Sequence, residues 1–255
     1  MPAPSQKLTP AQLEAAGHPG PLLVIGEAGS GRTATLVARC ARLIGGGEVA
    51  VTVVALTATV RSATVLRSRV EDELGATADD VSVVTPEQLC FDLLRAHPRE
   101  ADLDPFAVTA SHADRLALLL AGIDELPLRQ HDLGGNTPAL LARVIERIDA
   151  LKEQLVGADD FARWAASLPV GSEAQQATAA REREFAELYR AHERLLAEAG
   201  ALDSGGLLLR GVRLLRDAGD LRAHAATRAR HLLLEDLQDF TPAQCELVKL
   251  LASAG

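Results

Sequence analysis

A glycine-rich loop near the amino terminus constrains the fold of this 255-residue chain more than any other stretch. Residues 26–33 read Gly-Glu-Ala-Gly-Ser-Gly-Arg-Thr, which fits the pattern G-x-x-x-x-G-K-[ST] except that Arg32 takes the place of the lysine. An apolar run of strand length, residues 21–25, precedes the loop, and residues 34–43 after it have helical spacing and end at three glycines. A strand, a loop and a helix in this order predict the start of a parallel α/β fold.

The same alternation of strands and helices returns on both sides of the middle of the chain. Short apolar segments rich in β-branched residues predict buried strands, and apolar positions three and four residues apart predict helices. The predicted strands are residues 49–56, 81–85 and 231–234, and the predicted helices start at Thr9 and cover residues 62–74, 86–96, 207–215 and 245–251. Together these segments predict a parallel sheet flanked by helices.

The middle of the sequence has a different character. Helical spacing is found in residues 116–120, 140–155, 161–168 and 179–199, and no convincing strand lies between residues 97 and 201. We therefore predict that an all-α insert, residues 91–200, divides the α/β domain into residues 1–90 and 201–255.

Charge and cysteine content exclude several classes of protein. The 35 acidic residues outnumber the 26 lysines and arginines, so a uniformly basic nucleic-acid coat is excluded, while a local basic face is not. Cys40, Cys90 and Cys245 form no C-x-x-C pair, which argues against a disulfide framework and a thiolate zinc site. The sequence shows no signal-peptide core and no apolar run long enough to span a membrane. We therefore expect a soluble protein of a reducing cytoplasm.

A second chemical signal lies near the end of the sequence, where apolar residues 232–234 run into Glu235 and Asp236. Two carboxylates after a strand can place one toward Mg²⁺ and the other toward an attacking water. In the glycine-rich loop, backbone N–H groups and the helix amino terminus would hold phosphates, and the Thr33 hydroxyl would hold Mg²⁺. Simpler interpretations stay open: the loop as a turn that caps a helix, Arg32 as a solvated side chain, and the carboxylates as solvated strand-end residues.

These motifs, together with three further segments, resemble those of the superfamily-one DNA helicases of the UvrD/Rep type. Residues 9–12 resemble the family's Q motif, residues 26–33 its Walker A loop, residues 56–63 its motif Ia, residues 201–208 the segment that returns to the motor domain after a helical insert, and residues 231–244 its motif II. The matches keep the family's order and approximate spacing across nearly the whole chain. The resemblance implies a P-loop NTPase fold of the RecA-like type, interrupted by the insert.

The resemblance also implies which residues act and what they bind. ATP and Mg²⁺ are the implied cofactors, and single-stranded DNA is the implied partner of a translocase in DNA repair or recombination. Gln12 would contact adenine, although a capping-box role explains it nearly as well. The implied nucleotide-binding residues are Gln12, Gly26, Ala28, Gly29, Ser30, Gly31, Arg32 and Thr33; the metal ligands are Thr33 and Glu235; the catalytic residues are Glu235, Asp236 and Gln238; and the DNA contacts are Thr57, Thr59 and Arg61.

Several positions depart from the family pattern. Arg32 replaces a lysine, and Glu235-Asp236 reverses the family's Asp-Glu, which changes the reach of both carboxylates by one methylene. Ala58 and Ser204 stand where the family usually has aromatic residues that stack on bases. These changes predict weak or absent hydrolysis, and they keep open a non-catalytic scaffold that binds DNA or a partner helicase or nuclease subunit.

Two further questions stay open from the sequence. Arg61, Arg67 and Arg69 form a basic stretch that either contacts the backbone of single-stranded DNA or is a solvated helix face. The sequence ends shortly after the motif II match and holds no second motor domain, whose arginines complete such a nucleotide site. We expect an amino-terminal piece of a longer protein; the alternative is a free-standing relic.

Overall fold

A computed structural model describes residues 7–48, 52–78, 81–104, 106–129 and 136–253 of the chain. The chain divides into two compact units. The first unit takes in Met1–Leu89, Leu215–Phe240 and Val248–Gly255, and the second takes in Cys90–Leu214 and Thr241–Leu247.

Helices make up most of the described chain, and its strands are short. In chain order the elements are α1 (Pro10–Gly17), α2 (Arg32–Gly45), β1 (Val53–Leu56), α3 (Val60–Leu74), β2 (Ser82–Val84), α4 (Pro86–Ala96), β3 (Val108–Thr109), α5 (His112–Ala121), α6 (Thr137–Glu153), α7 (Ala158–Ala166), α8 (Glu173–Glu198), β4 (Ala201–Leu202), α9 (Ser204–Asp217), α10 (Gly219–Arg228), β5 (His231–Leu234) and α11 (Pro242–Ala252). Strands β1, β2 and β5 and the helices around them confirm a mixed α/β chain with a small parallel sheet. Helix α10 was not predicted, and residues 49–51 of the first predicted strand after the loop lie outside the described residues.

The sheet of the first unit is parallel and has the strand order β2-β1-β5. Val54 of the central strand β1 lies opposite Ser82 on one side and Leu232 on the other. All four residues of β1 are buried, as expected for a strand of a parallel sheet that is covered on both faces. The strands end together, with Leu56 opposite Leu234, so the residues that follow β5 emerge at the carboxyl edge of the sheet.

Helices α2 and α3 are joined to the sheet through one apolar cluster. Cys40 of α2 and Leu66 of α3 are fully buried in it, together with Val53 and Val83 of the strands. Burial raises the pKa of the Cys40 thiol to about 12, so this cysteine is a small apolar core residue and not a reactive thiolate.

Residues 21–25 do not form the strand that their apolar sequence predicts. The side chain of Ile25, the last of them, is 85% exposed. A strand needs a neighbour for its backbone hydrogen bonds, and among the described strands β5 pairs only with β1. The carbonyls of His18 and Gly20, just before the segment, instead accept hydrogen bonds from Arg39 of α2 at 2.5 and 3.2 Å. An apolar run shows a preference for extended structure but not whether a pairing partner is available.

The core of the second unit lies between α5, α6, α7 and α8. Phe161, Phe185 and Tyr189 are buried there, and the rings of the two phenylalanines meet edge to face with their centroids 5.2 Å apart. The prediction that the insert is all-α is wrong, because β3 and β4 pair in parallel, with Val108 opposite Ala201. Each of these strands has two residues, which is too short to leave an alternating pattern in the sequence.

A group of charged side chains is buried in the second unit. The Lys152 ammonium is fully buried and lies 2.8 Å from both carboxylate oxygens of Asp203 and 2.7 Å from Glu193 Oε1. Arg115 Nη2 lies 3.1 Å from Asp203 Oδ2, and Arg115 Nε donates to His192 Nε2 at 3.0 Å. Burial by itself raises the pKa of Asp203, but the charges of Lys152 and Arg115 outweigh it and hold that pKa below its ordinary value. We call these five residues the Lys152 cluster.

Candidate functional site

The glycine-rich loop turns back on itself immediately before α2. Gly29 and Gly31 have left-handed φ angles of 79° and 84°, which residues with a side chain rarely adopt. A Cβ atom on Gly26 would run into the hydroxyl oxygen of Ser30, so this position has no room for a side chain either. The Ser30 N–H donates to the Glu27 carbonyl at 3.1 Å and closes the turn. The path of the backbone therefore requires two of the predicted phosphate-binding glycines, and the Ser30 side chain restricts the space at the third.

The loop leads directly into the amino terminus of α2, which begins at Arg32. The N-cap residue is Gly31, which has no side chain to accept from the free N–H groups of the first turn. Ala28 lies in the exposed turn ahead of them. Buried Thr35 donates its hydroxyl to the Gly31 carbonyl at 3.0 Å, a contact that the motif does not predict and that only the four-residue spacing could have indicated. Free N–H groups at a helix amino terminus can bind an anion such as phosphate.

Two carboxylates that follow β5 meet the first turn of α2. The Thr33 hydroxyl donates to Glu235 Oε1 at 2.7 Å. Arg32 Nη2 donates to Asp236 Oδ1 at 3.0 Å, and Arg32 Nη1 donates to the carbonyl of Gly26. The structure thus brings together the glycine-rich loop and the Glu235-Asp236 pair, which are far apart in the sequence.

Asp236 has a backbone conformation that is unusual for a residue with a side chain. Its φ and ψ angles are 50° and 51°, in the left-handed region that aspartate tolerates better than most residues. A short 3-10 turn, Leu237–Asp239, follows it. Gln238 Nε2 donates to Asp236 Oδ1 at 3.1 Å, so this one carboxylate oxygen accepts from both Arg32 and Gln238.

Two groups of oxygen and nitrogen atoms could be considered for a metal ion. The Thr33 hydroxyl and the Glu235 carboxylate are adjacent hard oxygens, which suits Mg²⁺ with phosphate and water as its other ligands. In the second unit, ligand atoms of His192, Glu193 and Asp203 lie within 4.8 Å of one another, but the carboxylates there already pair with the cations of the Lys152 cluster. The pair at the glycine-rich loop is therefore the better candidate.

Gln12 links α1 to the loop. Its side-chain oxygen accepts from the Thr9 N–H at 2.7 Å, and its amide nitrogen donates to the Ser30 carbonyl at 2.9 Å. The first contact belongs to the capping box of α1, as the alternative interpretation of Gln12 predicts. The second contact reaches the loop 18 residues away. A cavity of about 250 Å³ lies here, lined by Lys7, Leu8, Thr9, Gln12, Gly29, Ser30, Gly31 and Ala34.

The three residues predicted to contact DNA differ in exposure. Thr57 follows β1 and is only 2% exposed, so its side chain does not reach the surface in this structure. Thr59 is exposed and caps α3 by accepting from the Ser62 N–H at 3.1 Å. Arg61 is exposed in the first turn of that helix. Thr59 and Arg61 therefore stay candidates for DNA contact.

Comparison with known proteins places the chain in a family. The family model of the UvrD/REP helicase N-terminal domain matches residues 8–255, and the chain belongs to this family. The ATP-dependent DNA helicase UvrD1 of Mycobacterium tuberculosis H37Rv is 32% identical over 96% of the chain, and the ATP-dependent DNA helicase Rep of Escherichia coli K12 is 29% identical over 97%. The ATP-dependent DNA helicase PcrA of Bacillus subtilis 168 is 25% identical over 96%.

The chain spans about a third of the length of these relatives, covering 30% of UvrD1, 34% of Rep and 31% of PcrA. In the part of the chain that the structure describes, no helix combines the length and the apolar character needed to cross a membrane.

Proposed function

We propose that the first unit binds ATP and Mg²⁺ at the glycine-rich loop, as the amino-terminal motor part of a UvrD-like DNA helicase or translocase in DNA repair or recombination. The observation that carries this proposal is the contact of the loop with the carboxylates after β5, in which Thr33 and Glu235 present adjacent oxygens to a metal ion. The three named helicase relatives support the use of ATP.

The proposed roles follow from position. The loop glycines and the free N–H groups of α2 hold phosphates, and Thr33 and Glu235 hold Mg²⁺. Gln12 lies at the edge of the cavity beside the loop, where its amide can face the base. Thr59 and Arg61 provide an exposed polar and a basic side chain for the backbone of single-stranded DNA.

We further propose that this chain by itself hydrolyses ATP weakly or not at all. Asp236 is one methylene shorter than the glutamate expected in its place, and its Oδ1 already accepts from both Arg32 and Gln238, which compete with an attacking water for this oxygen. The same contacts favour the second candidate function, a non-catalytic scaffold of helicase fold that binds DNA or a partner motor subunit. In a protein that also carries a second motor domain, that domain would supply the arginines that promote phosphoryl transfer.

Titration of a fluorescent ATP analogue with Mg²⁺ into this chain tests the nucleotide site. We expect saturable binding in the micromolar range that ATP displaces. Gln12→Ala is expected to weaken binding by about tenfold, because it removes the side-chain hydrogen bond from α1 to the Ser30 carbonyl of the loop, roughly the net contribution of one uncharged hydrogen bond. Absence of binding up to millimolar analogue, in a chain shown to be folded, would favour the scaffold.

A second capping box in the same chain provides the matched control. Gln244 stands in the same Thr-Pro-Ala-Gln sequence, and its side-chain oxygen accepts from the Thr241 N–H at 3.0 Å. Gln244→Ala therefore removes a capping box of the same sequence from α11; because Gln244 is buried whereas Gln12 is half-buried, both variants are compared in chains shown to be folded. We expect it to leave the affinity for the ATP analogue unchanged; equal losses in the two variants would assign the effect of Gln12 to helix stability alone.

A further inference from the structure

The side chains of Arg32 and Asp236 form an ion pair beside the glycine-rich loop. One nitrogen of the guanidinium donates to Asp236 Oδ1 at 3.0 Å, and the other donates to the carbonyl of Gly26, the first residue of the loop. The planar, forked guanidinium can serve both acceptors at once, whereas a lysine ammonium on a thin stem has no such fixed fork. The pair therefore ties the two ends of the loop to the segment after β5.

A ligand can separate Arg32 from Asp236. The side chains of Arg32 and Asp236 are 36% and 40% exposed, so water and salt screen their attraction and their mutual stabilisation is weak. A polyphosphate carries several negative charges and offers a guanidinium two oxygens in a matching geometry, which makes it a stronger partner for Arg32 than one carboxylate. Phosphate bound at the start of α2 thus competes directly with Asp236.

Asp236 has further contacts that would change when Arg32 leaves it. Its Oδ1 also accepts from Gln238, and its backbone is held in the left-handed region. When Arg32 turns to a phosphate, Asp236 loses its charged partner while Gln238 stays within reach. Binding of phosphate at the loop therefore changes the contacts of Asp236, the residue that directly precedes the turn Leu237–Asp239.

We propose that Arg32 and Asp236 form a latch, which closes the empty loop and which a polyphosphate opens by taking Arg32 from Asp236. This inference rests on the proposed function, because the phosphate is that of the nucleotide. In this view the arginine at the lysine position and the aspartate at position 236 act as a pair: each is the partner of the other when no nucleotide is bound. Asp236 is a positioning residue for Arg32.

A cycle of four chains tests the latch: the parent, Arg32→Ala, Asp236→Asn and the double variant. The probes are ATP and inorganic tripolyphosphate, and the measurement is their affinity by calorimetry or by competition with the fluorescent analogue. Asp236→Asn is expected to tighten binding of both probes by about 2- to 5-fold when Arg32 is present, the range of an exposed ion pair. It should change binding far less when residue 32 is alanine.

Asp239→Asn is the matched control for charge. Asp239 lies exposed in the same turn, and removing its charge lessens the repulsion of phosphate without touching Arg32. The latch predicts a larger gain from Asp236→Asn than from Asp239→Asn. Equal gains at the two aspartates, an equal effect of Asp236→Asn with and without Arg32, or no binding of tripolyphosphate by any of the four chains would each overturn it.

The same cycle separates the latch from the proposed function. If tripolyphosphate shows the coupling between Arg32 and Asp236 but ATP binds no more tightly than tripolyphosphate, the latch stands and the nucleotide site fails. If ATP binds more tightly and Gln12→Ala weakens it, yet the effects at residues 32 and 236 are independent, the nucleotide site stands and the latch fails.

Discussion

Lys152→Met will lower the free energy of unfolding of the second unit by about 3–5 kcal/mol, the cost of breaking a buried ion pair. The variant leaves the buried carboxylate of Asp203 and the half-buried carboxylate of Glu193 without their ammonium partner at 2.8 and 2.7 Å. Urea unfolding followed by the fluorescence of Trp164 measures the change, since the chain has one tryptophan and it lies in the same unit. A loss below about 1 kcal/mol would show that the pair adds nothing over an apolar side chain.

Arg213→Met is the control for this variant. Arg213 is an exposed residue of α9, and its replacement by the same methionine removes a positive charge from the surface of the same unit. We expect its effect to stay within about 0.5 kcal/mol, as is usual for surface substitutions.

The dependence on pH gives the Lys152 prediction a second readout. The pKa of Asp203 is lowered in the folded chain, so its contribution to stability is present above the ordinary carboxyl value of about 4 and is lost as the pH falls through the folded-state pKa. The pKa of Glu193 is also lowered: burial raises it, but hydrogen bonding from His192 and the charge of Lys152 outweigh that. The difference between the parent and Lys152→Met should therefore shrink below about pH 4.

Gly31→Ala is expected to weaken binding of the ATP analogue by at least about tenfold. An alanine at φ 84° costs about 1–2 kcal/mol of backbone strain, and its Cβ atom would run into the side-chain amide of Gln12. The loop must then leave the path that directs its N–H groups to phosphate. The titration used for the parent chain measures the effect.

Gly45→Ala, at the other end of α2, provides the comparison. Apart from the adjoining backbone of α2, no atom lies within 4 Å of a Cβ atom added there, and the position needs no left-handed backbone. We expect unchanged affinity. An unchanged affinity in Gly31→Ala as well would mean that the loop geometry does not determine nucleotide binding.

The sequence predicts the parts of this fold that depend on local pattern. Strands β1, β2 and β5 are short apolar runs, and a parallel sheet buries such runs on both faces, so composition and order suffice to find them. The left-handed φ angles of Gly29 and Gly31 can also be expected from the sequence, because few residues other than glycine adopt such angles. Residues 21–25 have the same local pattern, but strand formation depends on a pairing partner that no local pattern contains.

The candidate site was predicted residue by residue but not in its contacts. The bond between Arg32 and Asp236 joins positions 204 residues apart, and nothing in the spacing indicates that two residues expected to serve phosphate and water bind each other. The donor bond from Gln12 to Ser30 shows that the capping and loop-binding roles of Gln12 are compatible.

One feature of the sequence could have indicated the Lys152 cluster. The chain has lysine only at Lys7, Lys152 and Lys249, although arginine is frequent. The lysine at position 152 is the one that the structure buries completely, against Gly205, where an added Cβ atom would lie 2.7 Å from Lys152 Cβ. A rare residue type in the last turn of an amphipathic helix could have marked a buried charge, but its partners are 41 and 51 positions away.

The exposed apolar segment in front of the loop affects how this chain behaves in concentrated solution. Residues 21–25 combine an unpaired apolar backbone segment outside any helix or strand, outward-facing Leu23 and Ile25, and no charge, which are properties that favour association of segments from different molecules as β-structure. Pro21 at one end lacks an N–H group, and Glu27 beyond the other end adds a charge, so both limit that association. This aggregation-prone stretch is thus directly attached to the loop proposed to bind ATP, and any change made to improve solubility there also acts on the residues that lead into that loop.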